Sequence, residues 1–322
     1  VPRRLPLLAL TLLVLAAPPV RGQSEAQDKP LGHHLHQLKY GSEAEKDRAV
    51  AALARFGPKA GSAVPLLILR LDADQPHHRL HAAETLGKIG AAAKEAVPQM
   101  LELFTEGGVR AYPRCDPHRG TAVHGVDALF DVGSEAGPAL IAGLGHKHAS
   151  VRVASARVLG YLRPRVKTAV PALLKALDDE DEHVRLFAAQ SLWFLDRPAA
   201  EVVPTLTSLL ASKDRALCDR AVWLLGRIGP GAEAAAADLA ALLSEAEPDR
   251  IIAVLTALTQ MGPGARAAVP VLLREVQERG DYGWSGRLVE RRWTMRTSTS
   301  ACLRRNRSGS STGRPRRWCR RL

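Results

Sequence analysis

Histidine is the residue type in this chain best placed to do chemistry. His77 and His81 stand four apart, so on a helix they share one face and present two imidazoles to one metal ion. No Glu or Cys stands at a companion spacing, and His78 between them points elsewhere, so the expectation is a solvated helix start. His33, His34 and His36 form a second group and His146 and His148 a third; both read as surface. Cys115-Asp116-Pro117-His118 is not a haem-attachment sequence, which needs a second Cys beside the His. No phosphate-binding glycine loop, nucleophile elbow or dinucleotide fingerprint occurs. Four cysteines in 322 residues are too few for a disulfide scaffold, and Cys218 reads as a small core residue. The expectation is no catalytic residue, no metal and no cofactor.

The elements that must position any site come from a repeat. Val64-Pro65 and Val97-Pro98 lie 33 residues apart, and Gly137-Pro138, Val170-Pro171, Val203-Pro204, Ala236-Ala237 and Val269-Pro270 continue at 33 after one step of 40. Leu53, Leu86, Leu159, Leu192, Leu225 and Leu258 each stand twelve residues before the second member of such a pair. A short turn follows the leucine, as at Gly57-Pro58, Gly90, Arg163-Pro164, Gly229-Pro230 and Gly262-Pro263. A fixed period in this range marks stacked supersecondary units. Each unit reads as two helices: apolar residues recur at three- and four-residue steps, the turn breaks the first helix, and the proline opens the second. Ala49, Ala82, Gly125, Ser155, Ala188 and Ala221 stand at matched positions and let neighbouring helices approach closely. Asp181, Asp214 and Asp249 read as N-caps of first helices, and so does the acidic loop Asp178–Glu182. Repeat three departs from the pattern: Leu129 precedes Pro138 by nine residues, so its inner turn is about three residues shorter.

The ends differ from this body. Arg3 and Arg4 precede an apolar run from Leu5 to Ala17 and small residues near Gly22, which describes a secretory signal over residues 1–22. The expected location is therefore exported, periplasmic or extracellular, with no stable membrane insertion after cleavage. Residues 23–41 are expected to be a linker and a capping half-repeat, and 42–280 seven repeats. The net charge of +12 looks like an invitation to nucleic acid. Its distribution removes that reading: Tyr282 to Leu322 holds 12 Arg and one acidic residue, +11, while the rest carries 33 basic and 32 acidic residues, +1. Residues 281–322 are expected to be a basic, disordered tail that arose from an eighth repeat by a one-nucleotide shift. In the shifted frame Trp293-Thr294 encodes Asp, Trp318-Cys319 encodes Val, and Cys319 with a CGN arginine encodes Pro or Ser, which returns Val-Pro.

Leu86-Gly87-Lys88-Ile89-Gly90 through Val97-Pro98, and Val151-Arg152 through Val170-Pro171-Ala172-Leu173-Leu174, resemble HEAT repeats of the short bacterial, phycobilisome-lyase-like type. The resemblance implies an all-α fold, a right-handed α-solenoid of stacked antiparallel helix pairs. Arg79, Arg152 and Arg185, with Lys46, hold the Val-Arg position, but Cys218 and Ile251 interrupt any basic ladder. Helical-repeat hydroxylases use His-Glu dipeptides; this chain has none, so their iron chemistry is not carried over. The insertion at 105–120 is expected to form a loop on one face, with Arg110, Tyr112, Arg114 and His118 as candidate partner-binding residues. Second-helix positions Gln99, Glu102, Lys175, Thr205, Ser208 and Arg274 are expected on the concave side, and Gln99, Glu102, Lys175 and Arg274 complete the candidate set. The function expected is a non-enzymatic exported scaffold that binds another protein or peptide, and no nucleic acid. The alternatives are an accessory or lyase-like chain related to bilin lyases, or a fragment of a larger envelope protein with a catalytic or haem domain. The missing C-terminal neighbour predicts that Leu272, Leu273 and Val276 are partly uncovered.

Overall fold

The structure, a computed structural model, describes residues 29–105, 121–243 and 248–278. The signal-like segment, nearly all of the insertion (Arg110, Tyr112, Arg114 and His118 included) and the basic tail lie outside these residues. The described residues hold helices and no strand, and none of these helices is long and apolar enough to cross a membrane. The chain divides into two compact units, Val1–Leu224 and Leu225–Leu322.

The first unit opens with α1 (Leu31–Tyr40), which packs on α2 (Glu43–Phe56). Helix pairs follow: α2 with α3 (Val64–Leu71), α4 (Pro76–Ile89) with α5 (Val97–Glu102), α6 (Thr121–Val132) with α7 (Gly137–Gly143), α8 (Ala149–Tyr161) with α9 (Val170–Ala176), and α10 (Glu182–Phe194) with α11 (Ala199–Ser208). The division falls within α12 (Arg215–Ile228), and the second unit continues with α13 (Ala236–Ala241), α14 (Pro248–Met261) and α15 (Val269–Glu278). In the first unit α2, α4, α6, α8 and α10 pack side by side as one layer, and α3, α5 and α7 as a second. The fold is of the all-α solenoid class, built from stacked helix pairs.

The repeat leucines fix the core. Leu53, Leu86, Leu129, Leu159, Leu192, Leu225 and Leu258 are all fully buried, as are Ala49, Ala82, Ser155, Ala188 and Ala221. Three glycines bring the Cα atoms of neighbouring helices close. A Cβ on Gly87 would lie 2.8 Å from Cα of Ala128, one on Gly160 2.7 Å from Cα of Ser191, and one on Gly226 2.9 Å from Cα of Ala257.

The turn between paired helices is more structured than a short break. Gly57–Ala63, Gly90–Ala96, Gly229–Ala235 and Gly262–Ala268 are 3-10 segments of seven residues, and Gly133–Ala136 has four. The three-residue shortening of repeat three is thus found where the sequence places it. Each segment starts at a glycine with φ between 54° and 78°, a backbone region that costs other L-residues energy. Asp196 takes that role in repeat five at φ 61°, a position the sequence reading did not single out. Pro204 departs from expectation. It lies inside α11, because the five residues before it wind as α-helix rather than 3-10. Asp181 and Asp214 cap as expected, Oδ1 accepting from the His183 and Val184 amides at 2.8 and 3.2 Å and from the Ala216 amide at 2.9 Å. Asp249 does not precede its helix, which starts one residue earlier at Pro248. Leu273 is 58% exposed as expected, but Leu272 is buried against expectation, because the two lie about 100° apart around α15 and only Leu272 turns to the core. The Val276 side chain lies outside the described residues.

Candidate functional site

The second-helix candidates Gln99, Glu102, Lys175 and Arg274 are all exposed. Gln99 and Glu102 lie at the surface of α5, and Lys175 at that of α9. Arg274 is exposed on α15, in the other unit. Glu102 Oε1 lies 3.4 Å from His146 Nε2. Thr205 is half-buried, and the exposed Ser208 donates its hydroxyl to the Thr205 carbonyl at 2.8 Å. Among the described residues no hydrogen bond or ion pair joins Gln99, Glu102 and Lys175 to one another.

The Val-Arg positions turn out to be structural. Arg79 Nη1 donates to the carbonyls of Ala73 and Asp74 at 2.8 and 3.1 Å. Arg152 Nη1 donates to His146 and Lys147 at 3.0 and 3.2 Å, and Arg185 Nη1 to Asp179 and Glu180 at 2.8 and 3.2 Å. Each guanidinium reaches back to the loop before its own helix and satisfies two carbonyls that the loop cannot pair itself. Arg152 also makes a bidentate pair with Asp179, both bonds 2.8 Å, which raises its pKa further. At Cys218, a buried thiol donates to the Leu210 carbonyl at 3.4 Å instead.

The histidines depart from the surface reading at two places. His34 is 3% exposed, tilted against the ring of Phe56, and burial lowers its pKa. His78 is buried as well, on the inner side of α4, facing acids that belong to the preceding repeat. Its Nε2 lies 3.2 Å from Asp47 Oδ2 and its Nδ1 3.8 Å from Glu43 Oε2. Arg70, from α3, donates to Glu43 Oε2 at 2.9 Å and to Asp47 Oδ1 at 2.6 Å. Hydrogen bonds from Lys46 and Arg70 hold the Glu43 carboxyl down at about 2. Burial opposes ionisation of Asp47, but the Arg70 hydrogen bond and the charges of His78, Arg70 and His77 keep its pKa below the usual value. The grouping is therefore Asp47, His77 and His78 rather than His77 and His81, because the acid arrives from the neighbouring repeat and not along α4.

The most distinctive surface lies on the first helices of repeats three to six. Tyr161 is 39% exposed and stands edge-on to Phe130 at 5.9 Å and to Phe194 at 5.0 Å between ring centroids. Gln190, 1% exposed, donates to the Tyr161 hydroxyl at 2.6 Å. Arg220 donates to Gln190 Oε1 at 3.0 and 3.2 Å and to the Tyr161 hydroxyl at 3.3 Å, and stacks over Trp223 at 4.5 Å. Trp223 is itself 44% exposed. Arg157 lies over Phe187 at 5.9 Å; burial pulls its pKa down while Tyr161 and Asp127 act the other way. Phe130, Tyr161, Leu162 and Arg163 line a shallow groove of about 370 Å³. Aromatic rings held rigid beside guanidinium groups are the composition of a binding hot spot.

Comparison with known proteins settles the family. Residues 34–111 and 137–217 match the family model for HEAT repeats. The chain is a HEAT-repeat protein. No curated protein sequence matches it. It is similar to the archaeal HEAT-like repeats protein from Thermococcus onnurineus NA1, at 12% identity over 74% of this chain and 98% of that one, TM-score 0.45. It is also similar to the CpcE–CpcF complex of phycocyanin lyase from Nostoc sp. PCC7120, at 21% identity over 81% and 98%, TM-score 0.36. The karyopherin Kap121p bound to the SUMO protease Ulp1p is a third, at 14% identity over 82% and 32%, TM-score 0.46.

The aromatic surface of this HEAT-repeat protein was not anticipated, although a signal for it exists. Positions two before and two after the repeat leucine lie four apart on one helix face. They hold Arg157 and Tyr161, Gln190 and Phe194, and, before Leu225, Trp223. Aligning the HEAT repeats on that leucine brings these side chains into one row.

Proposed function

We propose that the chain is an exported, non-enzymatic scaffold that binds another protein or peptide through the first-helix surface of repeats three to six. The carrying observation is the placement of the aromatic residues. They make up only 4% of the chain, yet Phe130, Tyr161, Phe194 and Trp223 share one surface with Arg157 and Arg220. Two of these rings, Tyr161 and Trp223, are more than a third exposed; Gln190 and Arg220 hold the Tyr161 hydroxyl, and Arg220 stacks over Trp223. Rings fixed before binding lose little entropy on association, which favours a protein or peptide partner. The near neutrality of the chain outside its basic tail argues against nucleic acid as the ligand. Export rests on the Arg3-Arg4 start and the apolar run after it.

The test is affinity capture from the exported fraction of the source cells, with wild type and a Tyr161→Ala, Trp223→Ala variant side by side. A protein retained by wild type and lost by the variant, with unchanged melting temperatures, supports the reading. Equal capture by both, or recovery of nucleic acid alone, overturns it.

A further inference from the structure

The contact between α2 and α4 carries more than an ion pair. Asp47, His77 and His78 each offer one ligand atom, and these atoms lie within 4.8 Å of one another. The separation of His78 Nε2 from Asp47 Oδ2, 3.2 Å, is the informative distance. Two ligands bound to one tetrahedral zinc ion at about 2.0–2.1 Å are about 3.3 Å apart. These two atoms are already spaced as one edge of such a tetrahedron. His77 is exposed at the start of α4, so its ring has room to close the remaining distance.

The surroundings match what ligating groups need. A metal-bound imidazole directs its second nitrogen at a carboxylate, and a ligating carboxylate is itself hydrogen-bonded. Here Glu43 Oε2 faces the second nitrogen of His78 at 3.8 Å, and Arg70 donates to the second oxygen of Asp47 at 2.6 Å. Arg70 is in turn tied to Glu43 at 2.9 Å, so its charge is compensated beside the site. Two imidazoles and one carboxylate suit a borderline ion such as Zn²⁺, whereas Mg²⁺ and Ca²⁺ prefer an all-oxygen set.

We propose that Asp47, His77 and His78 bind a divalent transition-metal ion of the zinc class, which clamps the first helices of the first two repeats to each other. Binding replaces the His78–Asp47 contact with two metal–ligand bonds and releases any proton held by the imidazoles.

The test uses the full chain, Zn²⁺ as ligand and Co²⁺ as spectroscopic probe, at pH 7.5 with reductant. Wild type is expected to gain about 5 °C or more in melting temperature at a hundredfold excess over Kd. His77→Ala, at an exposed position, is expected to keep the metal-free melting temperature and lose the gain. His78→Ala and Asp47→Asn lose it as well, but their metal-free stability changes, so His77→Ala carries the decision. The Co²⁺ spectrum is expected to show visible d–d bands without thiolate charge transfer. No gain in wild type, an equal gain in His77→Ala, or a thiolate band from the cysteines overturns the proposal.

Discussion

Gly160 is the position where helix packing is most directly open to measurement. It lies near the end of α8, where an added Cβ would stand 2.7 Å from Cα and 2.9 Å from Cβ of Ser191 on α10. Ser191 Oγ lies nearer still and can rotate away only by giving up its bond to Ala156, while Cα and Cβ cannot swing aside. In Gly160→Ala the two helices must separate by about 1 Å, an overpacking strain of about 1–3 kcal/mol. Separation also stretches the buried hydrogen bond from Ser191 Oγ to the Ala156 carbonyl, 2.6 Å long, which contributes about 1 kcal/mol. Alanine's higher helix propensity returns at most about 1 kcal/mol. The net expectation is a loss of about 2 kcal/mol, or about 4–8 °C in Tm for an array of this size. Gly32→Ala is the control, because nothing lies within 4 Å of its added Cβ in α1. There the propensity gain acts alone and Tm rises slightly. Circular dichroism melts of both variants decide the matter. A Gly160→Ala protein as stable as Gly32→Ala would refute the close approach of α8 and α10.

Other substitutions probe other links. Arg152→Leu leaves Asp179, 12% exposed at its side chain, without its bidentate partner, and is expected to cost about 3 kcal/mol in urea unfolding. Asp181→Ala removes the acceptor for two amides at the start of α10 and should cost about 1 kcal/mol by the same measurement. His183 lies 3.6 Å from Asp181 and 3.4 Å from Asp214, the caps of α10 and α12; the hydrogen bond with Asp181 leads the causes that raise its pKa, partly opposed by burial. A raised folded pKa stabilises fully below the unfolded value of about 6.5 and is lost as pH rises through the folded value. Wild type should therefore lose more stability than His183→Asn on going from pH 6 to pH 9, as followed by Tm.

The fold was legible because its period is carried by residues with one job each. The repeat leucines must be buried, the Gly at the end of five of the seven first helices must accept positive φ, and both requirements show in a single chain at fixed spacing. Asp196 escaped because aspartate tolerates the left-handed region without announcing it as glycine does. Contacts between repeats were harder to read. The partner of His78 is Asp47, 31 positions earlier, and the groups that meet Tyr161 come from α6, α10 and α12. Such pairings depend on how far each helix is rotated against the next, which a hydrophobic period constrains only loosely. His34 escaped for a similar reason: the burial of a polar ring in α1 is decided by Phe56 on α2.

The backward reach of Arg79, Arg152 and Arg185 also sets a length. Each spans to the carbonyls five and six residues before it, across connections of four or five residues between helices. A connection of another length would present different atoms to the guanidinium, so the arginine acts as a gauge on the loop it closes. Repeat three carries Ala122 at this position, counted from Leu129, and repeat seven carries Ile251. The widest sequence interval between described helices, from the end of α5 at Glu102 to the start of α6 at Thr121, leads into the repeat with Ala122. Extra sequence enters this array where no gauge is fitted. The junctions ahead of Ala122 and Ile251 are accordingly the places to graft a peptide or a second domain without disturbing the stack.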